Sequence, residues 1–153
     1  MKKFWIIILT LAMLLSLAAC GGKADAPLDG EALTRSLLSS GAFSQTLEEL
    51  PAKKASSFYG VAGESLQTAY LYHAMGVSKE QIAVFRAVDE TAAKEIVPQL
   101  QLLLDGWIEA DRDYAPEEVP KLEKAVLRQS GEWVVLVVAN DPTTAARTVG
   151  EYI

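Results

Sequence analysis

Trp133-Val-Val-Leu-Val-Val-Ala139 is the stretch that decides the architecture, because it is apolar on both of its alternating sets of side chains. A strand that faces water on one side alternates polar and apolar, so a run like this belongs to an interior strand covered above and below. Working outward, Ser130-Gly131 separates it from a second run over 124–129, and the two read as a hairpin. On its other side Asn140-Asp141-Pro142 ends the strand and opens a last helix. Asp141 is its N-cap and Pro142 takes the first helical position, where a missing N–H is harmless. Ala145, Ala146, Val149 and Tyr152 or Ile153 supply the buried stripe of that helix.

Upstream, Asp89 is an N-cap, and Ala93, Ile96, Val97, Leu100, Leu103, Leu104, Trp107 and Ile108 follow at helical spacing over about five turns. Pro98 falls on the polar side with Lys94, Gln101 and Asp105, which predicts a kink that bends the helix around the core, with a break as the alternative. Asp111 to Pro120 reads as a loop with two prolines. Leu66 to Met75, rich in aromatic and small apolar residues, reads as a strand, although Leu66-Gln-Thr-Ala-Tyr70 also tolerates a helix. Ile82, Val84, Phe85 and Val88 make a second strand, and Gly76-Val-Ser-Lys-Glu80 is the hairpin loop between them. Two narrow stripes precede these strands: Leu33, Leu37 and Leu38 ending at Gly41, then Leu47, Leu50, Phe58 and Tyr59 ending at Gly60. Both read as short helices that cover the face of the sheet left open by the long helix. The expected fold is α+β: a helical N-terminal segment followed by ββαββα, with a mostly antiparallel four-stranded sheet.

The 153 residues leave room for one small domain after a leader is subtracted. That leader is residues 1–19: Lys2-Lys3, an apolar run from Phe4 to Leu17 broken by Thr10 and Ser16, and small residues up to Cys20. This is a signal peptide, shorter than the ~20 apolar residues a membrane span needs. Lysines ahead of the run stay on the cytoplasmic side, so the rest of the chain is exported. Leu17-Ala18-Ala19-Cys20-Gly21 resembles the lipobox of bacterial lipoproteins. The resemblance implies that the Cys20 thiolate takes a diacylglyceryl group as a thioether, and that the mature chain begins at this cysteine. Two acyl chains such as palmitate, at ~0.8 kcal/mol per CH₂, anchor stably where one would be marginal. Residues 20–28 are then the lipidated cysteine and a flexible tether, and residues 29–153 a single α+β domain.

Removing residues 1–19 takes two of the 14 basic residues and none of the 20 acids, so the formal charge moves from −6 to −8. Such a chain is repelled by phosphate backbones, which argues against nucleic acid as a partner. One Cys and one His exclude a disulfide framework and any Cys/His zinc site. His73 shares a strand face with Leu71 and Met75, the setting of a half-buried histidine bonded to a backbone carbonyl or water. An enzyme reading requires it to meet an acid such as Glu64 or Glu80 in a concave pocket. No nucleophile elbow, Ser-x-x-Lys, phosphate-cradling glycine loop or paired-histidine helix occurs, and no cofactor is implied.

Glu109, Asp111, Asp113, Glu117 and Glu118 gather around the end of the long helix and raise the question of a cation in 109–118. Asp111-Arg-Asp113 starts like a calcium loop. Ala115 and Pro116 then stand where an oxygen ligand and the turning glycine belong, so a solvated acidic surface is expected and no metal. Tyr59, Tyr72, His73 and Tyr114 are the candidate binding residues, since aromatics anchor interfaces; sheet-face packing is the competing account of them.

The lipobox, Tyr59-Gly60, Glu80-Gln-Ile-Ala-Val-Phe85 leading to Asp89, Tyr114-Ala-Pro116-Glu117, and Gly131-Glu-Trp-Val-Val-Leu136 followed by Asn140-Asp141 together resemble a family of small lipoproteins. These are proteins of Gram-positive, largely clostridial bacteria that carry domain of unknown function 4358. The resemblance covers most of residues 30–153 and implies fold and location; it brings no catalytic residue. The reading is therefore a lipid-anchored module on the outer face of the cytoplasmic membrane, binding a protein or cell-envelope component without catalysis. An envelope enzyme or small-ligand receptor with a site near His73 is the alternative, and self-association through a sheet edge a third possibility.

Overall fold

In the computed structural model, which describes residues 27–153, the doubly apolar stretch is strand β5, Trp133–Val138, with Val134 to Val138 all buried. Its neighbours are β3 (Gln81–Ala87) on one side and β4 (Val126–Ser130) on the other, so it lies inside the sheet. Two further strands, β2 (Leu66–Ala74) and β1 (Leu47–Leu50), complete a five-stranded antiparallel sheet in the order β1-β2-β3-β5-β4. Both expected hairpins form, β2–β3 and β4–β5. Their loops turn through Gly76 at φ +76° and Gly131 at φ +54°, a region glycine enters without a Cβ penalty. The ambiguous stretch from Leu66 is a strand.

The sheet has five strands where four were expected, because the first part of the second N-terminal stripe pairs with β2 instead of coiling into a helix. Leu47-Glu-Glu-Leu50 is the edge strand β1, paired from Leu47↔Ala74 to Leu50↔Leu71. Pro51 follows, and having no N–H it cannot extend the ladder; the chain tightens there into a 3₁₀ turn over Ala52–Lys54 and a short helix α2, Ala55–Tyr59.

Helices cover both faces of the sheet, as the doubly apolar β5 demands, but they are shared out differently from the expectation. One face takes α1 (Gly30–Ser39) and α5 (Pro142–Gly150), with Leu33, Leu37, Ala145 and Val149 against Ile82, Val84, Val135 and Val137. The other takes the long helix α3 (Glu90–Tyr114), α2 and the short α4 (Val119–Glu123). Here Ala93, Ile96, Leu100, Leu104, Tyr59 and Leu122 pack on Leu71, Phe85, Val134, Leu136 and Val138. The two N-terminal segments therefore lie on opposite faces instead of forming one lid. Even and odd positions of β3 and β5 fill separate cores, each side chain following the period of two.

Asp89 caps α3 by accepting from the Ala92 N–H at 2.7 Å, and Asp141 caps α5 by accepting from the Thr143 and Thr144 N–H groups. Pro98 lies inside α3, exposed, and the helix runs through it without a break. The polar face pointing to water lets the acceptor left free by the proline be solvated. The helix also continues through Asp111-Arg-Asp113-Tyr114, residues expected in a loop.

The sheet has two distinct ends. At the proximal end, where the described chain begins, lie Leu66, Ala87 and Trp133; at the distal end lie Ala74, Gln81 and Val138. Helix α1 starts proximally, with Gly30 against the rings of Trp133 and Tyr70, and runs to the distal end, where the Ala42 carbonyl accepts from the Asp141 N–H. The leader 1–19, Cys20 and residues 21–26 lie outside the described residues. No helix among the described residues is long and apolar enough to cross a membrane.

Candidate functional site

The distal end holds the densest chemistry among the described residues. Glu80 ends the β2–β3 loop and is fully buried. Its carboxylate accepts from the Ser44 N–H at 2.8 Å, the Gln45 N–H at 3.2 Å, the Ser44 hydroxyl, and the Lys121 ammonium at 2.9 Å. The loop before β1 thus closes over the carboxylate from one side and α4 from the other. Burial pushes the Glu80 carboxyl up, and these hydrogen bonds outweigh it and hold the group below the usual carboxylate range. Lys121 also donates to Glu118 at 2.9 Å, and both carboxylates hold its ammonium above the ordinary lysine value against the opposing effect of burial. Glu118 in turn accepts from the Lys79 N–H at 2.8 Å, while the Lys79 ammonium lies 3.2 Å from Asp111 in the last turn of α3. Three buried acids and two lysines from three segments are held together; Glu80 and Glu118 are hydrogen-bonded, whereas Asp111 is ion-paired only. Desolvated charges of this kind are tolerated only when paired.

Three of the five acids in 109–118 are ion-paired. Asp111 is spoken for by Lys79, Glu118 by Lys121, and Glu109 by Arg112 at 2.9 Å. Among the described residues no group of three or more His, Cys, Asp or Glu side chains is placed to hold a metal ion.

On the surface beside the network, a shallow cavity of about 170 Å³ is lined by Phe58, His73, Ser78, Lys79, Gln81 and Trp107, with Glu80 at its wall. His73 lies in β2 opposite Gln81, and its ring packs on Phe58 with centroids 5.7 Å apart. Phe58, which lines this cavity, is 42% exposed, and Met75 and Val77 in the β2–β3 loop at the same end of the sheet are 60% and 54% exposed. A larger groove of about 580 Å³ runs between the Tyr59–Ala62 turn and α3, over Leu102, Leu103, Gly106 and Trp107.

The four candidate residues are placed as follows. Tyr59 is buried, donates its hydroxyl to Gln81 Oε1 at 2.8 Å and meets Phe85 edge-on, and burial raises its phenol strongly. It shares the α3 face with His73. Tyr72, the neighbour of His73 in β2, points to the opposite face, where burial and the facing Glu49 carboxylate raise its phenol. Tyr114 stands 75% exposed at the end of α3. The fold therefore brings together Tyr59 and His73 and leaves Tyr72 and Tyr114 apart from them. Sequence reasoning singled out Glu80 but not its partners Ser44 and Lys121, which lie 36 and 41 positions away and carry no periodic signal.

A family model for a domain of unknown function, DUF4358, matches residues 39–139, well over half of the chain. The chain belongs to this family. No curated protein and no solved structure matches it. The matched span of the DUF4358 domain contains all five strands, α3 and every member of the distal charge network. It leaves out all but the last residue of α1 and the whole of α5, the two helices that close the second face. The network thus lies within the part of the chain the family shares, together with the strand that decides the fold.

Proposed function

We propose that this protein is a lipid-anchored module on the outer face of the cytoplasmic membrane of a Gram-positive bacterium, and that it binds a protein or other envelope component without catalysis. Cys20 carries the proposal. It is the only cysteine in 153 residues and follows Leu17-Ala18-Ala19 at the end of an apolar leader. Glu48 faces His73 across the β1–β2 ladder, whereas Glu80, the acid an enzyme reading would pair with His73, is already engaged, which supports binding in preference to catalysis. Both of its oxygens are occupied by Ser44, Gln45 and Lys121, so it has no free lone pair positioned to act as a base toward a substrate. Phe58, half-exposed against His73, and Met75 and Val77, exposed in the adjoining β2–β3 loop, support the distal end as the surface for a partner.

Cys20→Ser is expected to move the protein out of the membrane fraction or to leave an unprocessed precursor; unchanged partition with normal maturation would contradict the anchoring. The purified mature chain is expected to retain an envelope protein or glycan, and Met75→Asp with Val77→Asp to lose it. Inertness toward all envelope fractions would contradict the binding role. The second reading, an enzyme or small-ligand receptor, is favoured by the cavity that His73 shares with Ser78 and Lys79. It requires that His73→Ala abolish turnover or binding of a small molecule while the fold is kept.

A further inference from the structure

We propose that the distal cavity is a subsite for one neutral sugar ring of an envelope glycan, held against Phe58 and Trp107 and hydrogen-bonded by His73 and Lys79. The proposal rests on the reading of the distal end as the binding surface and narrows the partner taken there. At about 170 Å³ the cavity falls short of the ~300–1,000 Å³ that encloses a drug-sized ligand, so it takes a single ring and leaves the rest of a polymer in solvent. Its floor is preformed. The Gln81 amide is pinned at both ends, accepting from the Tyr59 hydroxyl at 2.8 Å and donating to the Lys79 carbonyl at 3.1 Å. Glu118 accepts from the Lys79 N–H at 2.8 Å, and the Ser78 hydroxyl accepts from the Glu80 N–H at 3.3 Å. Little conformational freedom is left for a ligand to freeze out.

The lining decides the chemistry of the ring. Phe58 and Trp107 supply two aromatic surfaces, the first exposed and the second half-buried. His73, half-buried against Phe58, makes no hydrogen bond or ion pair with any described residue, so both ring nitrogens are open to a ligand. The Lys79 ammonium spends one contact on Asp111 and keeps further N–H groups to donate. A hydrocarbon ring in this space would strip water from these groups and return no hydrogen bond. A pyranose avoids that cost, because the C–H groups of its faces meet the aromatic side chains while the hydroxyls at its edge both donate and accept. Charge excludes ionic ligands. In the network behind the cavity Glu80, Glu118 and Asp111 outnumber Lys79 and Lys121, and the exposed Glu48 faces His73 from β1, so an anion is repelled. A cation would meet the Lys79 ammonium in the lining itself. A neutral ring with hydroxyls escapes both penalties.

Trp107 is itself a reporter of this cavity. Of the three tryptophans Trp5 lies in the leader, and Trp133→Phe removes the other, so the mature variant emits from Trp107 alone. That variant, in a zwitterionic detergent without sugar headgroups, is titrated with N-acetylglucosamine, its β-1,4-linked tetramer and glucuronic acid. A saturable change in Trp107 emission is expected with the two neutral sugars, and weaker binding with glucuronic acid. His73→Ala should raise Kd about tenfold, the size of one hydrogen bond, and His73→Gln, which still donates and accepts, should recover part of the loss. Phe58→Ala, at an exposed position, should weaken binding independently of His73. No saturable response to either neutral sugar, tighter binding of glucuronic acid, or a response unchanged in both His73→Ala and Phe58→Ala would overturn the sugar site. Retention of an envelope protein by the same chain would then leave the binding role standing, whereas inertness toward envelope proteins and glycans alike would overturn both.

Discussion

The two ends of one sheet are closed by different physics. The distal end is closed by desolvated charge: Glu80, Glu118 and Asp111 held by Lys121 and Lys79. The proximal end is closed by volume: the Trp133 and Tyr70 rings fill the space a side chain at position 30 would need, and the charged pair beside them is half-exposed. There the Arg86 guanidinium lies 5.6 Å above the Trp133 ring and pairs with Glu132 at 3.0 Å. An end closed by charge is sensitive to pH and to loss of a single partner, whereas an end closed by packing is sensitive to a single methyl group.

The largest effect is expected at Lys121. Lys121→Ala strips the cation from between two buried carboxylates, and removing one partner of such a set costs about 3–5 kcal/mol; urea unfolding of the mature chain at pH 7 reads it directly. A loss under about 1 kcal/mol would mean that the network is solvated and the contrast between the ends is false. Next comes Gly30→Ala, which forces a methyl group into the Trp133 ring and is expected to destabilise by about 1–3 kcal/mol in the same assay. Combining it with Trp133→Leu should recover part of that loss, since the clash is with the ring.

Acid sharpens the comparison further. Glu80 is held below the ordinary carboxylate range when folded, so its contribution is fully present above the unfolded value of ~4.3 and is lost as pH falls through the folded one. Stability of the wild type should therefore drop between pH 5 and strongly acidic conditions, and Glu80→Gln should flatten that limb; an unchanged limb would remove Glu80 from the account. The smallest effect belongs to the exposed pair at the proximal end: Glu132→Gln is expected to cost about 0.2–1 kcal/mol, and less at high salt.

The sequence made the interior of the fold readable and its closures unreadable. Val134 to Val138 carry two apolar faces, and that is enough to demand two helical layers. Asp89 and Asp141 announce their helices because a cap is a local event, settled within three residues. Leu47-Glu-Glu-Leu50 fails as a local signal: spaced by three, its leucines suit a helix, and only the pairing with Leu71 to Ala74 makes it a strand. Likewise, Asp111 and Glu118 are indistinguishable in sequence from solvated acids. Lys121 pairs with Glu118 at the local i,i+3 spacing, but what joins them to Glu80, and Asp111 to Lys79, is a hairpin loop about 30–40 positions away, and no spacing rule connects those segments. Of the candidate residues, His73 could be placed on its strand face but not against Phe58, whose short helix follows the Pro51 turn out of β1.

The proposed location depends on what the Cys20 sulfur carries. Intact mass of the mature chain isolated from membranes tests this directly. The predicted result is a polypeptide beginning at Cys20 with a thioether-linked diacylglyceryl group. A free thiol on that residue, or a chain cleaved elsewhere, would contradict it.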